Sequence, residues 1–249
     1  MLKSTLPSAS RDPESLLPIE AEGISVARAG RTLLDVRKIL VPGDGAIAVL
    51  GHNGCGKTLL LKVLAGLLAP DTGSVTWAGR APDRTRTLRL GFVLQRPVLL
   101  RRSVIANVMY PLQLAGLGRQ EQWSRAMAKL RHWRLDHLAD TPARVLSGGE
   151  QRRVAIARAL VMKPECLFLD EPAANLDPEA TRAIEGMIGA AKLAAIPVVL
   201  VTHDLGQARR LADEIVFMDH GKIVEQAPAD RFFKAPESRE AKAFLNGDI

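Results

Sequence analysis

The residues of this sequence best suited to chemistry form the stretch 51–58, which reads GHNGCGKT. Its glycines allow backbone N–H groups to turn inward around a polyphosphate, and Lys57 adds a positive charge beside them. Thr58 supplies a hydroxyl, a group that holds Mg²⁺ in phosphate-transfer sites. The residues expected to contact a nucleotide in this stretch are Gly51, His52, Asn53, Gly54, Cys55, Gly56, Lys57 and Thr58. The stretch therefore predicts a cradle for nucleotide phosphates and Mg²⁺.

The residues on either side place this cradle between a strand and a helix. Residues 46–50 form an apolar, β-prone run, and residues 59–64 favour a helix. The pattern counts as functional only in such a context, because an incidental glycine-rich turn before a helix is the alternative. The start of the helix also presents unpaired N–H groups and the positive end of its dipole.

Two acids follow another apolar run. Residues 166–169 read as a buried strand, and Asp170 and Glu171 come at its carboxyl end, where open α/β sheets bind their ligands. Asp170 is a candidate for holding Mg²⁺, and Glu171 for activating a water aimed at the γ-phosphate. The alternative is a charged strand end without function, which is common for isolated acidic pairs.

Two further polar residues lie at strand ends. His203 follows the apolar run 198–202 and is predicted on the same rim as the two acids, where it can donate to the γ-phosphate. A lone histidine is more often structural. Gln95 ends the strand 90–94, and its side-chain oxygen is a candidate contact for Mg²⁺ or the attacking water.

Composition limits the class of protein. The chain has 249 residues, 47% of them hydrophobic, enough for a well-packed core. The sequence shows no apolar run of the roughly 18 residues that span a bilayer, and residues 1–20 lack a secretory signal pattern, so a cytoplasmic protein is expected. Cys55 and Cys166 lie in unrelated settings and suggest neither a disulfide nor a metal site.

The formal charge of +7 fits a nucleic-acid partner, an anionic membrane or a merely basic surface. The basic runs 84–89 and 101–102 lack interleaved aromatic residues, and aromatics are only 4% of the chain. A platform that stacks single-stranded bases needs such aromatics. We therefore expect a solvated basic surface and no nucleic-acid partner.

The order of predicted elements indicates an α/β fold. Residues 1–18 read as a loose tail; short strands between 19 and 41, with one at 74–79, form an antiparallel layer; and residues 98–160 hold a small helical insert. From residue 149 onward helices and strands alternate, which predicts a parallel sheet. A hairpin at 219–225 and a short helix at 241–245 close the chain.

The most specific stretch is LSGGEQ at 146–151, followed by a predicted helix at 152–160. Small residues before a helix start make a second anion site. Together with the cradle, Gln95, LFLDEP at 167–172, ANLD at 174–177 and His203, this stretch resembles the motif set of an ATP-binding cassette (ABC) ATPase. The resemblance covers nearly the whole chain after residue 18. It implies a P-loop NTPase fold with a RecA-like parallel core.

The resemblance also implies roles. Two cassettes of the family pack head to tail around ATP and Mg²⁺, so Ser147, Gly148, Gly149 and Gln151 of one copy are expected at the γ-phosphate held by the other. Asp177 is expected to bridge the copies, and Gln95 to couple the site to a membrane partner. Asp170 is then the Mg²⁺ ligand, Glu171 the catalytic base and His203 the γ-phosphate sensor.

Three positions depart from the family pattern. Arg28 stands where an aromatic residue usually stacks on adenine, so Arg28 is predicted to contact the base. Leu59 replaces a second hydroxyl near the α-phosphate. Cys55 is a variant within the cradle, and we expect its thiol to react and to be protected by ATP.

Two classes of cassette remain to be separated. A cassette acting on DNA or ribosomes resembles this chain only with a long coiled coil or a second copy, and the sequence has neither, which favours a transport ATPase. The stretches 56–79 and 95–104 are similar to cassettes of tungstate and related oxyanion importers; an importer of another solute and a split-chain exporter stay open. The expected partners are a second copy, a membrane permease and, through it, a solute-binding protein. The expected location is the cytoplasmic face of the inner membrane, as a peripheral subunit.

Overall fold

A computed structural model of the protein describes residues 15–247. Most of the predicted loose tail, residues 1–14, lies outside the described residues. Its last four residues do not fit that prediction. Leu16 is fully buried, and its backbone N–H donates to the Glu165 carboxylate at 2.8 Å. Because its side chain is buried and its amide is hydrogen-bonded, Leu16 packs against the domain. The folded domain therefore begins before residue 19.

Nine strands form two sheets within residues 15–247. The strands are β1 (Ile19–Arg28), β2 (Arg31–Val41), β3 (Ala46–Leu50), β4 (Thr72–Trp77), β5 (Leu90–Val93), β6 (Cys166–Asp170), β7 (Val198–Val201), β8 (Glu214–Asp219) and β9 (Lys222–Pro228). The larger sheet has the order β5-β6-β7-β3-β8-β9 and is parallel except for β9. The predicted α/β fold with a mostly parallel sheet is confirmed.

The centre of the larger sheet is apolar on both faces. Every residue of β3, β6 and β7 is buried, as expected for strands covered by helices on either side. In the register, Asp170 lies beside Val201, and Val49 lies on the other side of that same residue. The carboxyl ends of β3, β7 and β6 therefore meet at one edge of the sheet.

The smaller sheet is antiparallel, in the order β2-β1-β4. The sequence predicted two short strands at 33–36 and 39–41, but β2 runs unbroken from Arg31 to Val41. The polar residues 37 and 38 interrupt the apolar alternation and so suggested a break. In the structure Lys38 stays in register opposite Glu22, and the two side chains form an ion pair at 2.7 Å.

Nine α-helices lie within the described residues. They are α1 (Lys57–Leu64), α2 (Arg84–Thr87), α3 (Val104–Leu114), α4 (Arg119–His132), α5 (Gly148–Leu160), α6 (Pro178–Leu193), α7 (Leu205–Leu211), α8 (Ala229–Lys234) and α9 (Arg239–Asn246), with a 3-10 turn at Asp136–Leu138. Helices α3 to α5 occupy the stretch where the sequence predicts a helical insert. Val108, Leu112 and Leu130 are fully buried between them, whereas Trp123, predicted in the same apolar stripe, is 50% exposed.

Candidate functional site

The loop between β3 and α1 has a backbone that only glycine tolerates at its start. Gly51 has φ 146°, and a Cβ there would lie 2.2 Å from the carbonyl oxygen of Met218. Gly56, immediately before α1, has φ 103°. Positive φ values of this kind turn successive N–H groups toward one centre. The structure therefore gives the loop the local geometry of an anion cradle.

Lys57 is held under this loop. The side chain is buried, and its ammonium donates to the carbonyl oxygens of Gly51 and His52, each at 2.7 Å. An ammonium has three donors. Two of them fix the direction of the side chain, and the third is available to a phosphate oxygen in the cradle.

Thr58 and Asp170 meet although they are 112 residues apart in the sequence. The Thr58 hydroxyl donates to both carboxylate oxygens of Asp170, at 3.0 and 2.9 Å. Burial raises the pKa of Asp170, the Thr58 hydrogen bond opposes this, and the nearby Glu171 charge adds to it. A hydroxyl and a carboxylate on one spot are the oxygen donors that Mg²⁺ prefers, so these residues fit the ion.

Glu171 and His203 form the second pair of the site. Glu171 is buried, and one of its carboxylate oxygens lies 2.6 Å from Nδ1 of His203. Its backbone adopts φ +48°, an uncommon value for glutamate, and its N–H donates to the Val201 carbonyl at 2.9 Å. The backbone of Glu171 is therefore fixed by a neighbouring strand, and its carboxylate by an imidazole. This is the arrangement of a general base with an orienting partner.

Thr58 of the first pair and both residues of the second pair line one cleft of about 640 Å³. Gln95, Glu171 and His203 line it together with residues of the cradle, so the structure brings the predicted catalytic residues to one place. Six lining residues were not predicted as site residues: Leu33, Leu59, Lys62, Ala174, Asn175 and Val201. Leu33 could have been found, because Leu34 is buried and a strand turns alternate side chains to opposite faces.

Arg28 does not line this cleft. Its exposed guanidinium donates to the Ala27 carbonyl at 2.6 Å and lies 3.4 Å from the Asp71 carboxylate, on the antiparallel sheet. The side chain near the cleft on that sheet is Leu33, which is 39% exposed. The structure thus places the Arg28 guanidinium beside Asp71, outside the cleft.

Cys55 also differs from expectation. The sequence predicted a reactive thiol at the mouth of the cradle, but Cys55 is buried, with 6% of its surface exposed. Burial raises the pKa of this thiol. A covered thiol reacts slowly, so this burial opposes the predicted reactivity, which stays a prediction for labelling with a thiol reagent.

The signature residues lie outside the cleft. Ser147 caps α5: its hydroxyl accepts the Glu150 N–H at 3.3 Å, and its own N–H donates to the Glu150 carboxylate at 2.9 Å. Gly148 is exposed, Gly149 is buried against α6, and Gln151 donates to the Leu146 carbonyl at 2.9 Å. None of these residues lines the cleft of its own chain.

Asp177 has a local partner of its own. Its carboxylate accepts the N–H groups of Glu179 and Ala180 at 2.9 and 2.8 Å and so caps α6. Those two bonds lower the pKa of Asp177, the Ala180 bond most strongly. The side chain is exposed, so a contact outside the chain remains compatible with the cap.

Arg152 was missed by the sequence analysis. From α5, its Nε donates to the Gln95 carbonyl at 3.3 Å, and its Nη1 donates to the Ala174 carbonyl. Burial lowers the pKa of Arg152, and the Glu171 carboxylate partly offsets this. One guanidinium thus joins the signature helix to the loops that carry Gln95 and follow Glu171. The contact could not be read from sequence because its acceptors are backbone atoms.

No helix within residues 15–247 is long and apolar enough to cross a membrane.

Comparison with known proteins identifies the family of this chain. The family profile described as ABC transporter matches residues 38–174, more than half of the sequence. The chain is 36% identical to the tungstate uptake system ATP-binding protein TupC of Peptoclostridium acidaminophilum, over 87% of this chain and 100% of that protein. It is equally identical, at 36%, to the arginine transport ATP-binding protein ArtP of Haemophilus influenzae, over 88% of this chain and 94% of that protein.

A solved structure agrees with this. The cbiO1 protein of Clostridium perfringens, part of the ABC transporter complex cbiONQ, superimposes with a TM-score of 0.78 at 28% identity, covering 93% of this chain and 98% of the other. The profile covers the phosphate loop, Gln95 and Glu171 of the cleft and ends before His203. The chain belongs to the ABC transporter family and is one of its ATP-binding, ATP-hydrolysing cassettes.

Proposed function

We propose that this cassette hydrolyses ATP as a pair of copies and thereby drives a separate membrane permease for import. The observation that carries the proposal is the division of motifs within one chain. Lys57, Thr58, Glu171 and His203 line one cleft, and Asp170 is hydrogen-bonded to Thr58. The capped start of α5 lies outside this cleft. A helix start that faces outward completes a phosphate site only by meeting the cleft of another copy.

In the proposed reaction each residue of the cleft has one task. Lys57 and the loop N–H groups bind the β- and γ-phosphates. Thr58, Asp170 and Gln95 are the residues that would hold Mg²⁺, which when bound offsets the negative charge of the phosphates. Glu171 accepts a proton from the water that attacks the γ-phosphate, and His203 keeps the Glu171 carboxylate directed at that water.

The second copy supplies the other wall. Ser147, Gly148, Gly149 and Gln151 of that copy cover the γ-phosphate, and Asp177 bridges the two chains. The exposed positions of Ser147, Gly148 and Asp177 support this, because each is open to a partner while its helix stays capped. ATP then joins the two copies, and hydrolysis releases them.

Import is supported by the relatives that the chain spans almost completely. An uptake system cassette and a transport cassette are matched over 100% and 94% of their lengths. We place the protein on the cytoplasmic face of the inner membrane, bound to its permease, with a solute-binding protein delivering the solute. Gln95, on a loop that Arg152 ties to α5, is the residue through which the permease senses the site.

For the solute we propose a small oxyanion, tungstate or molybdate. Support comes from the tungstate cassette matched over its full length and from the stretches at 56–79 and 95–104. An amino acid is the second candidate, since the arginine cassette is equally identical.

Reconstitution of the cassette with its permease and binding protein in proteoliposomes tests both levels. We expect tungstate to stimulate ATP hydrolysis and arginine to leave it unchanged, with a Glu171→Gln cassette as the inactive control. If arginine stimulated hydrolysis and tungstate did not, the proposed solute would be an amino acid and not an oxyanion. ATP-independent transport, or hydrolysis unaffected by the permease, would contradict the role in import itself.

A further inference from the structure

A second cavity, of about 590 Å³, lies at the opposite end of the parallel sheet. We call it the back cavity. Glu165, directly before β6, and Ile196, two residues before β7, line it, so it adjoins the amino ends of strands whose carboxyl ends face the nucleotide cleft. It shares no lining residue with the nucleotide cleft. Its chemistry is therefore separate from ATP hydrolysis.

The back cavity carries unpaired positive charge. Lys129 of α4 is half-buried and Lys163, after α5, is exposed, and neither side chain has a hydrogen bond or ion pair within residues 15–247. The pKa of Lys129 is lowered by burial and, next, by the charge of Lys163, so the two ammonium groups act on one another. Glu165 does not neutralise them, because Arg89 and the Leu16 N–H already engage its carboxylate.

A buried donor without a partner lies in the same wall. Trp133 lines the back cavity, and its indole Nε1 is buried with no acceptor within the described part of the chain. The ring is held in place, since the Trp133 carbonyl accepts from Arg153 and the indole packs edge-on against His132 at 4.4 Å. Buried polar groups are nearly always paired, and an unpaired one needs an explanation.

The opposite wall is apolar. Ala190, Ala191 and Ala194, near the end of α6, line it together with Ile196. Small side chains on one helix face leave a smooth surface against which a flat or aliphatic group can pack. The volume falls within the roughly 300–1,000 Å³ of small-molecule sites and exceeds what one inorganic oxyanion fills.

From these observations we propose that the back cavity binds a small organic anion. Its phosphate or carboxylate group meets Lys129 and Lys163, an acceptor on it pairs with the Trp133 indole N–H, and its apolar body packs on the alanine face of α6. Each feature of the cavity thus recognises a different part of the ligand: the lysines its negative charge, the indole N–H an acceptor, and the alanine face its apolar body. The binding is independent of the nucleotide and of the transported solute.

Titration calorimetry with phenyl phosphate tests this site, because that probe joins a dianion to an aromatic ring. Saturating ADP and Mg²⁺ keep the nucleotide cleft filled during the titration. We expect saturable binding, weaker binding of inorganic phosphate and none of benzyl alcohol. The double variant K129Q/K163Q should weaken phenyl phosphate by about tenfold or more, since charge-assisted bonds are lost.

The matched control is K38Q/K222Q, which removes the same charge from two exposed lysines far from the cavity. It should change the affinity by less than about twofold. Trp133→Phe removes only the indole N–H and should weaken binding by a few-fold. Unchanged ATP hydrolysis and melting temperature show that each variant is folded. Equal affinity of K129Q/K163Q and K38Q/K222Q, or no saturable binding of phenyl phosphate, would overturn the proposal.

Discussion

The molecule presents two helix starts with glycines in front of them, and they differ in what surrounds them. At α1, Lys57 and Glu171 line one cleft, and the Asp170 carboxylate accepts a hydrogen bond from Thr58 in its wall. At α5, the polar groups of Ser147 and Glu150 satisfy each other, and neither residue lines the cleft. The first helix start has the candidate catalytic groups beside it, but its cleft is open on one side. The second helix start is exposed but has no catalytic group beside it, and this difference underlies the proposal that two copies form each complete site.

The largest effect is expected from Glu171→Gln, which removes the base and leaves every phosphate contact. We expect hydrolysis to fall about 10²- to 10⁴-fold, the contribution of general base catalysis, with ATP affinity nearly unchanged. ATP should also hold the variant as a dimer on gel filtration. Glu240→Gln, an exposed acid on α9, is the control and should hydrolyse normally. A Glu171→Gln protein with wild-type turnover would exclude Glu171 as the base.

The sharpest test of the comparison mixes two inactive variants. Lys57→Ala damages the first helix start, and Ser147→Asp places a negative charge against the γ-phosphate at the second while keeping a good helix cap. Each variant alone has both sites of its dimer damaged. A mixed dimer has one site with both defects and one intact site, so mixing should restore hydrolysis above either parent.

Hydrolysis is measured on the mixture and on each variant at the same total concentration. Lys57→Ala mixed with Lys57→Ala/Ser147→Asp is the control, because no intact site can form in that pair. If the first mixture stays as inactive as its parents while mixed dimers are detected by cross-linking, the two helix starts do not share a site.

Arg152 connects the two regions, and its loss should have a smaller effect. Arg152→Gln breaks the bonds to the Gln95 and Ala174 carbonyls, each worth about 0.5–1.5 kcal/mol. We expect kcat to fall by about three- to tenfold with KM for ATP unchanged, because no nucleotide contact is removed. Arg152→Lys should restore only part of kcat, since an ammonium lacks the planar fork that meets two carbonyls. A change in KM with kcat intact would instead indicate a direct role in binding ATP.

The smallest effect is expected at Arg28. Because its guanidinium lies at Asp71 and not in the cleft, Arg28→Ala should change ATP affinity by less than about twofold, as for other exposed ion pairs. Leu33→Asp, which places a charge on the cleft wall, is the contrasting variant and should weaken ATP clearly. Calorimetry with ATP and GTP measures both. If Arg28→Ala lost the preference for ATP over GTP, Arg28 would contact the adenine base, as the sequence predicted.

Local patterns predicted much of the fold, and their failures have physical causes. The central strands β3, β6 and β7 were found because a strand buried on both faces is uniformly apolar. Helix α8 was missed, since six residues are too few for a periodic pattern and Phe232 is buried only by tertiary packing. Trp123 was predicted in a core stripe, but it is 50% exposed on α4, where no element of residues 15–247 covers it.

At the site, sequence reasoning named the reacting groups but not their neighbours. Asp170, Glu171 and His203 were predicted from strand ends, because parallel strands end at one rim. The orientation of each side chain was beyond such reasoning. Cys55 was expected at the mouth of the loop and is buried under it. Arg28 had a polar alternative in Asp71, 43 residues away, that no local pattern reveals.

The sequence by itself determined the phosphate loop, the order of the motifs and the α/β class. These features depend on the spacing of glycines and apolar residues within short segments, which can be read without knowing any long-range contact. The tertiary structure decided which motifs touch. Strand β7 lies between β6 and β3 in the sheet, although in the sequence β6 comes between β3 and β7. That order alone brings Asp170 to Thr58 and Glu171 to His203. It also leaves Ser147 facing outward, because a helix start is directed by the packing of α5 against α3 and α6 and not by its own residues.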